Sequence, residues 1–137
     1  MLRMKRWILI WILSNLTVAS MEAQDPYLEG IARLQEGDLN KAGQLFEKVI
    51  ETGKSSSDLY LKFGEVHFLN GDFTESAIMA EKANGLSEGM GNYLIARCRA
   101  MEGRPSDAVI YLERHMNSGH KLARHEILLD PAFSGIE

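Results

Sequence analysis

The chain has 137 residues, 45% of them apolar and 25% charged, with a net charge of −4 at pH 7. That length and balance suit one globular domain. With 15 basic against 19 acidic side chains there is no basic excess of the kind nucleic acid attracts, and no acidic tail.

Residues 1–23 have the three-part layout of a secretory signal. Arg3, Lys5 and Arg6 precede the apolar run Trp7 to Leu13, polar Ser14, Asn15 and Thr17 follow, and small Ala19, Ser20 and Ala23 close it. Cleavage is expected after Ala23, leaving Gln24 first, with Ala19 as the second choice. The other reading is an uncleaved anchor. The 15 residues from Trp7 to Met21 fall short of the roughly 20 needed to cross the hydrocarbon. No cysteine lies near the end of the run, which argues against a lipid-modified N-terminus. The expectation is an exported protein, periplasmic or secreted, with inner-membrane anchoring through residues 1–23 as the alternative and no other membrane contact. Taking Arg3, Lys5, Arg6 and Glu22 from the 15 basic and 19 acidic side chains leaves 12 and 18, a net charge of −6. An oxidising compartment favours disulfides in small domains, yet Cys98 is the sole cysteine. Within Leu94, Ile95, Cys98 and Met101 it reads as a small buried hydrophobe, the alternative being a reactive thiol or a bridge to a partner.

From Gln24 onward the pattern predicts six or seven helices and no sheet. Tyr27, Leu28, Ile31, Ala32 and Leu34 recur at helical spacing up to Gly37-Asp38. Leu39, Ala42, Leu45, Phe46, Val49 and Ile50 share one face of the next helix, which stops at Gly53. After the loop Lys54 to Ser57, capped by Ser57 or Asp58, the third helix carries Leu59, Tyr60, Phe63, Val66, His67 and Phe68. Asp72 with Glu75 three residues later suggests a partial capping box opening the fourth. Gly89 and Gly91 mark a break before Tyr93, Leu94, Ile95, Cys98 and Met101 of the fifth. Pro105 fits the first turn of the sixth, which runs through Ala108, Val109 and Leu112 to end near Gly119. Residues 120–129 are expected to form a capping helix, with Asp130-Pro131-Ala132-Phe133 turning Phe133 back onto the array.

This plan repeats. The turn glycines Gly37 and Gly71 are 34 residues apart, and Gly71 and Gly103 are 32 apart, a spacing that marks stacked units. Gly30, Gly64 and Ala96 hold equivalent places on the first helix of each pair; Ala42, Ser76 and Ala108 do so on the second. Glycine within a helix costs about 1 kcal/mol against alanine, so Gly30 and Gly64 predict a close helix crossing. Phe46, Phe63, Phe73 and Leu112 are expected to fill the space between layers.

The pattern resembles the tetratricopeptide repeat, a 34-residue helix–turn–helix unit, over residues 25–118. The second unit matches best, with Tyr60, Phe63, Gly64, Phe68, Gly71, Ser76 and Ala83 on the family's signature positions. Pro26 and Glu29 depart from it in the first unit, and Asn92 and His115 in the third, as terminal units often do. The resemblance implies an all-α solenoid of about three repeats (25–58, 59–90, 91–118) with a cap over 120–133. It also implies a concave groove, lined by the first helices, that binds a peptide or helix of another protein. By alignment the groove residues are Tyr27, Ile31, Leu34, Leu61, Glu65, Tyr93, Arg97 and Ala100, each with core packing as its alternative role. Tyr27 and Ile31 stand where a Lys and an Asn would hold a terminal carboxylate in some relatives, so apolar contact is expected instead.

Catalysis finds little support. His115, His120 and His125 are five apart, off one helix face, and match no zinc spacing; they read as surface or cap histidines, and His67 as structural. No phosphate loop, nucleophile elbow or recognisable carboxylate pair is present, so no enzyme, cofactor or metal is expected. Two function classes follow: an exported protein-binding adaptor, or an obligate subunit of a larger membrane-associated envelope assembly.

Overall fold

The computed structural model describes residues 24–120, 122 and 124–136, so the signal or anchor assigned to residues 1–23 lies outside the described residues. Within them the protein is all-helical: α1 (Pro26–Glu36), α2 (Leu39–Glu51), α3 (Ser57–Leu69), α4 (Phe73–Leu86), α5 (Asn92–Met101), α6 (Pro105–Met116) and α7 (Arg124–Leu128), then a 3-10 turn, Pro131–Phe133. No described helix is long and apolar enough to cross a membrane.

The turns within the three pairs share one construction. At Gly37 the glycine N–H reaches the Leu34 carbonyl (3.1 Å) and the next N–H reaches Arg33 (2.9 Å). Gly71 repeats this with Phe68 and His67 (3.0 and 2.9 Å), and Gly103 with Ala100 and Arg99 (3.1 and 2.8 Å). This pattern returns two stranded helix-end carbonyls to hydrogen bonds and needs a left-handed residue at its centre. The φ values of 80°, 82° and 72° meet that need, and glycine adopts them without a Cβ penalty.

Helix starts are capped locally. Asp25 accepts the Tyr27 N–H (3.0 Å) beside Pro26, and Asp38 accepts that of Lys41 (3.1 Å). Two sequence expectations need correction. The cap of α3 is Ser56, which accepts from the Leu59 N–H at 3.1 Å, one residue before the expected Ser57 or Asp58. Asp72 holds the cap position of α4 but makes no side-chain cap bond. Its carboxylate is instead 4.0 Å from His67 Nδ1 on the other side of the turn.

From α1 to α6 each helix packs on its sequence neighbour, tightest within α1–α2, α3–α4 and α5–α6, and α1 touches α3 as α3 touches α5. Small residues permit this approach. Ala42, Ser76 and Ala108 are fully buried. At Gly64 an added Cβ would lie 2.8 Å from Leu94 Cδ2 and 3.3 Å from the Ser76 carbonyl oxygen, and Ser76 Oγ donates to the Gly64 carbonyl at 2.7 Å. One core gathers Ala42, Phe46, Val49, Leu59 and Val66; a second gathers Ala77, Ala80, Leu94, Ile95 and Cys98. Burying such side chains stabilises by roughly 1.5–3 kcal/mol each for the larger ones. Cys98 is a core residue whose thiol burial pushes above its ordinary pKa, so it is a poor nucleophile.

The second and third pairs are joined by a polar latch. Asn84 Oδ1 on α4 accepts the Gly91 N–H at 2.6 Å, and its Nδ2 donates to Asn92 Oδ1 at 3.0 Å.

The C-terminal cap differs from the expected helix over 120–129. Helix α7 spans only Arg124–Leu128 and buries none of its residues; Leu128 and Leu129 stand 73% and 78% exposed. The Leu122 N–H is taken by a side chain of α6, and Pro131 disfavours helical geometry at Asp130. The element that covers α5 is the turn Pro131–Phe133, which places Phe133 against Tyr93.

Candidate functional site

The expected groove residues all lie on α1, α3 and α5, the first helices of the pairs. On α1, Tyr27, Ile31 and Leu34 are half-buried and pack against the first core. The Tyr27 ring lies 6.1 Å from that of Phe46, and its hydroxyl donates to the Asp58 carboxylate at the start of α3. On α3, Leu61 packs against the second core, while Glu65 pairs with Lys62 at 3.2 Å. Ala100, on α5, is half-buried. Core packing and surface presentation are therefore shared by the same side chains.

Tyr93 and Arg97 of α5 form the most built part of this face. The Arg97 guanidinium lies 4.1 Å from the centre of the Phe68 ring on α3, within cation–π range. Its Nε is 2.9 Å from Asp130 Oδ2 but is not aligned to donate, so charge attraction holds this pair. Tyr93 Oη donates to the same carboxylate oxygen at 2.7 Å. Burial, then the hydrogen bond and the charge of Asp130, push the Tyr93 pKa well above its ordinary value, so the phenol stays a neutral donor. Phe133 meets the Tyr93 ring edge to face at 5.8 Å. Tyr93 and Arg97 thus face a segment of the same chain, which the periodicity of the first helices does not foretell. The chain's own Asp130 and Phe133 cover them, because Asp130 supplies the acceptor and counter-charge that a half-buried phenol and guanidinium require.

His115 is a correction. It is 2% exposed rather than a surface or cap histidine. Its Nε2 accepts the Leu122 N–H at 3.0 Å, its ring lies 5.1 Å from that of Tyr93, and Nδ1 has no hydrogen-bond partner among the described residues. Only the neutral ring can accept at Nε2. Burial first, and His120 nearby second, lower its pKa below the ordinary 6.5. The unfolded chain then binds more protons than the folded one in the window below about pH 6.5, so this contribution to stability is lost as pH falls through it. The thermal midpoint of the wild type should therefore fall more than that of His115→Gln between pH 7.5 and 5.5. Parallel falls would show that His115 does not titrate on unfolding.

His67 stacks on Phe63 at 4.7 Å. Among the described residues no three His, Cys, Asp or Glu side chains gather as metal ligands. A cavity of about 630 Å³ is lined by residues that include Asn84, Glu88, Asn92, Arg114, Asn117 and Ser118, with neither Tyr93 nor Arg97 in its wall. Its lining offers amides, one cation and one carboxylate, with no histidine or cysteine to pair with Ser118 as base or nucleophile.

Three contributors escaped the sequence reading. Asp58 and Asp130 carry charge to the first-helix face from outside the signature positions, and His115 anchors Leu122. The Asp130-Pro131 turn was the one available signal. The chain matches no protein-family model, and no curated protein matches it significantly.

Proposed function

We propose that the described helices form three tetratricopeptide-like units stacked as a short α-solenoid, acting as a non-catalytic module that binds a peptide or helix of another protein. The continuity of the first-helix face carries this reading: neighbouring first helices meet through Tyr27 with Asp58 and through Phe68 with Arg97. Such a face offers apolar side chains flanked by fixed charges, the composition that suits segment recognition in a helical repeat. Export to the cell envelope rests on the signal-like residues 1–23.

The test uses a partner captured from the native envelope fraction. Ile31→Ala with Leu61→Ala truncates two apolar groups on adjacent first helices and is expected to weaken its binding by about thirtyfold or more per residue, if they are central anchors. Glu65→Lys changes a half-exposed carboxylate on the same face, and Glu47→Ala on exposed α2 surface is the control. Wild-type affinity in the folded double variant and in Glu65→Lys would rule out the face.

A second reading, an obligate subunit of an envelope assembly, is favoured by Val109, Ile110 and Met116, exposed 40%, 45% and 38% on α6. It requires a stable complex rather than a soluble monomer on purification.

A further inference from the structure

The α5 part of the proposed recognition face already holds an occupant, and it is the chain itself. Asp130 presents one carboxylate oxygen to Tyr93 Oη (2.7 Å) and Arg97 Nε (2.9 Å). Its other oxygen accepts the Ala132 N–H at 2.9 Å, and Pro131 follows directly, so the carboxylate and the ring of Phe133 are held in a short fixed turn. The receiving side is equally prepared. Phe68 holds the Arg97 guanidinium from a neighbouring helix, and Tyr93 stays protonated to donate. Only the anchor of the segment is sunk like core: the Asp130 side chain is 10% exposed, whereas Pro131 is exposed, Ala132 and Phe133 are half-buried, and α7, which leads into it, buries none of its residues. Two point contacts of definite chemistry, a carboxylate and a ring three residues later, account for its seating.

We infer that Asp130–Phe133 is an intramolecular occupant of the recognition face, and that the partner segment replacing it carries the same chemistry: a carboxylate for Tyr93 and Arg97, followed three residues on by an aromatic ring for Tyr93. This deepens the binding reading above and rests on it. A tethered segment competes at high effective concentration. If it occupies the face nine-tenths of the time, apparent affinity for a free segment drops about tenfold.

The probe is a fluorescent peptide of residues 128–136, Leu-Leu-Asp-Pro-Ala-Phe-Ser-Gly-Ile, added to the full chain and followed by anisotropy. The full-chain variant Asp130→Ala/Phe133→Ala, with its own segment disabled, is expected to bind the peptide at least about tenfold more tightly than wild type. A peptide carrying Asp130→Asn and Phe133→Ala is expected to bind neither chain, a change that cannot affect the protein's fold. Equal binding to both chains, or no binding by a variant of unchanged helicity, overturns the inference. Where the double variant loses helicity, the near-isosteric Asp130→Asn in the full chain decides: unimpaired folding with tighter peptide binding supports the inference, and loss of helicity there too overturns it by making the segment a fixed part of the fold. A wild-type dimer that dissociates in the variant would place the segment on a second copy and likewise overturn it. None of these failures touches the α1 and α3 part of the face, which Ile31, Leu61 and Glu65 test separately.

Discussion

Gly91→Ala is expected to destabilise the fold by about 3 kcal/mol, the upper end of overpacking costs. Backbone conformation is not the reason: φ −89° and ψ −9° suit any residue. The obstacle is the carbonyl group of Ala80 on α4, into which a Cβ at Gly91 would run; the Ala80 Cα is only 3.1 Å from that Cβ position. A side chain could rotate away, but helix backbone cannot. Separating α4 from α5 to make room would also stretch the 2.6 Å bond from the Gly91 N–H to Asn84 and strip a buried donor of its acceptor. Against a total stability of about 5–15 kcal/mol for a domain, such a loss should be plain as a lower urea midpoint. A shift within about 0.5 kcal/mol would mean that α4 and α5 do not meet as described.

Phe46→Ala should cost about 3–5 kcal/mol, lowering the thermal midpoint by more than about 10 °C. Phe46 is fully buried and is the hub of the first core, with the rings of Tyr27 and Phe63 at 6.1 and 6.4 Å. Its ring also sits over Gly30, where an added Cβ would lie 2.6 Å from Phe46 Cε1. Gly30→Ala should therefore destabilise the wild type and cost far less once Phe46 is alanine, a coupling that a double-mutant cycle resolves. Additive effects would separate Gly30 from the Phe46 ring.

The parts of the fold legible in the sequence are those governed by local geometry. Gly37, Gly71 and Gly103 announced their turns because a left-handed helix end has few alternatives to glycine, and all three close with the same pair of hydrogen bonds. Gly30 and Gly64 announced close contacts because a helical glycine costs stability that a close approach can offset, a rule that does not extend to Gly85, which meets nothing within 4 Å. Residues whose role depends on distant partners were opaque. His115 on a helical pattern looks the same whether it faces water or accepts a backbone N–H, and Leu122 gives no sign of needing an acceptor. Asp130-Pro131 signals a turn, but the landing of its carboxylate on Tyr93 and Arg97 depends on how the chain beyond α6 returns to α5. For the candidate face, periodicity assigned Tyr27, Ile31 and Leu34 to a first helix, and the repeat resemblance added Leu61. How far each sinks into the core is decided by the neighbouring pair, which periodicity does not describe.

The most direct test of the first-helix face as the recognition surface is a backbone amide chemical-shift map of the full chain, recorded as the captured partner is titrated in. The expected result is perturbation concentrated on α1, α3 and α5, strongest around Ile31, Leu61, Glu65 and Arg97, with the signals of Asp130 to Phe133 shifting as that segment leaves Tyr93. Perturbation confined to α2, α4 and α6, with α1, α3 and α5 unmoved, would contradict it.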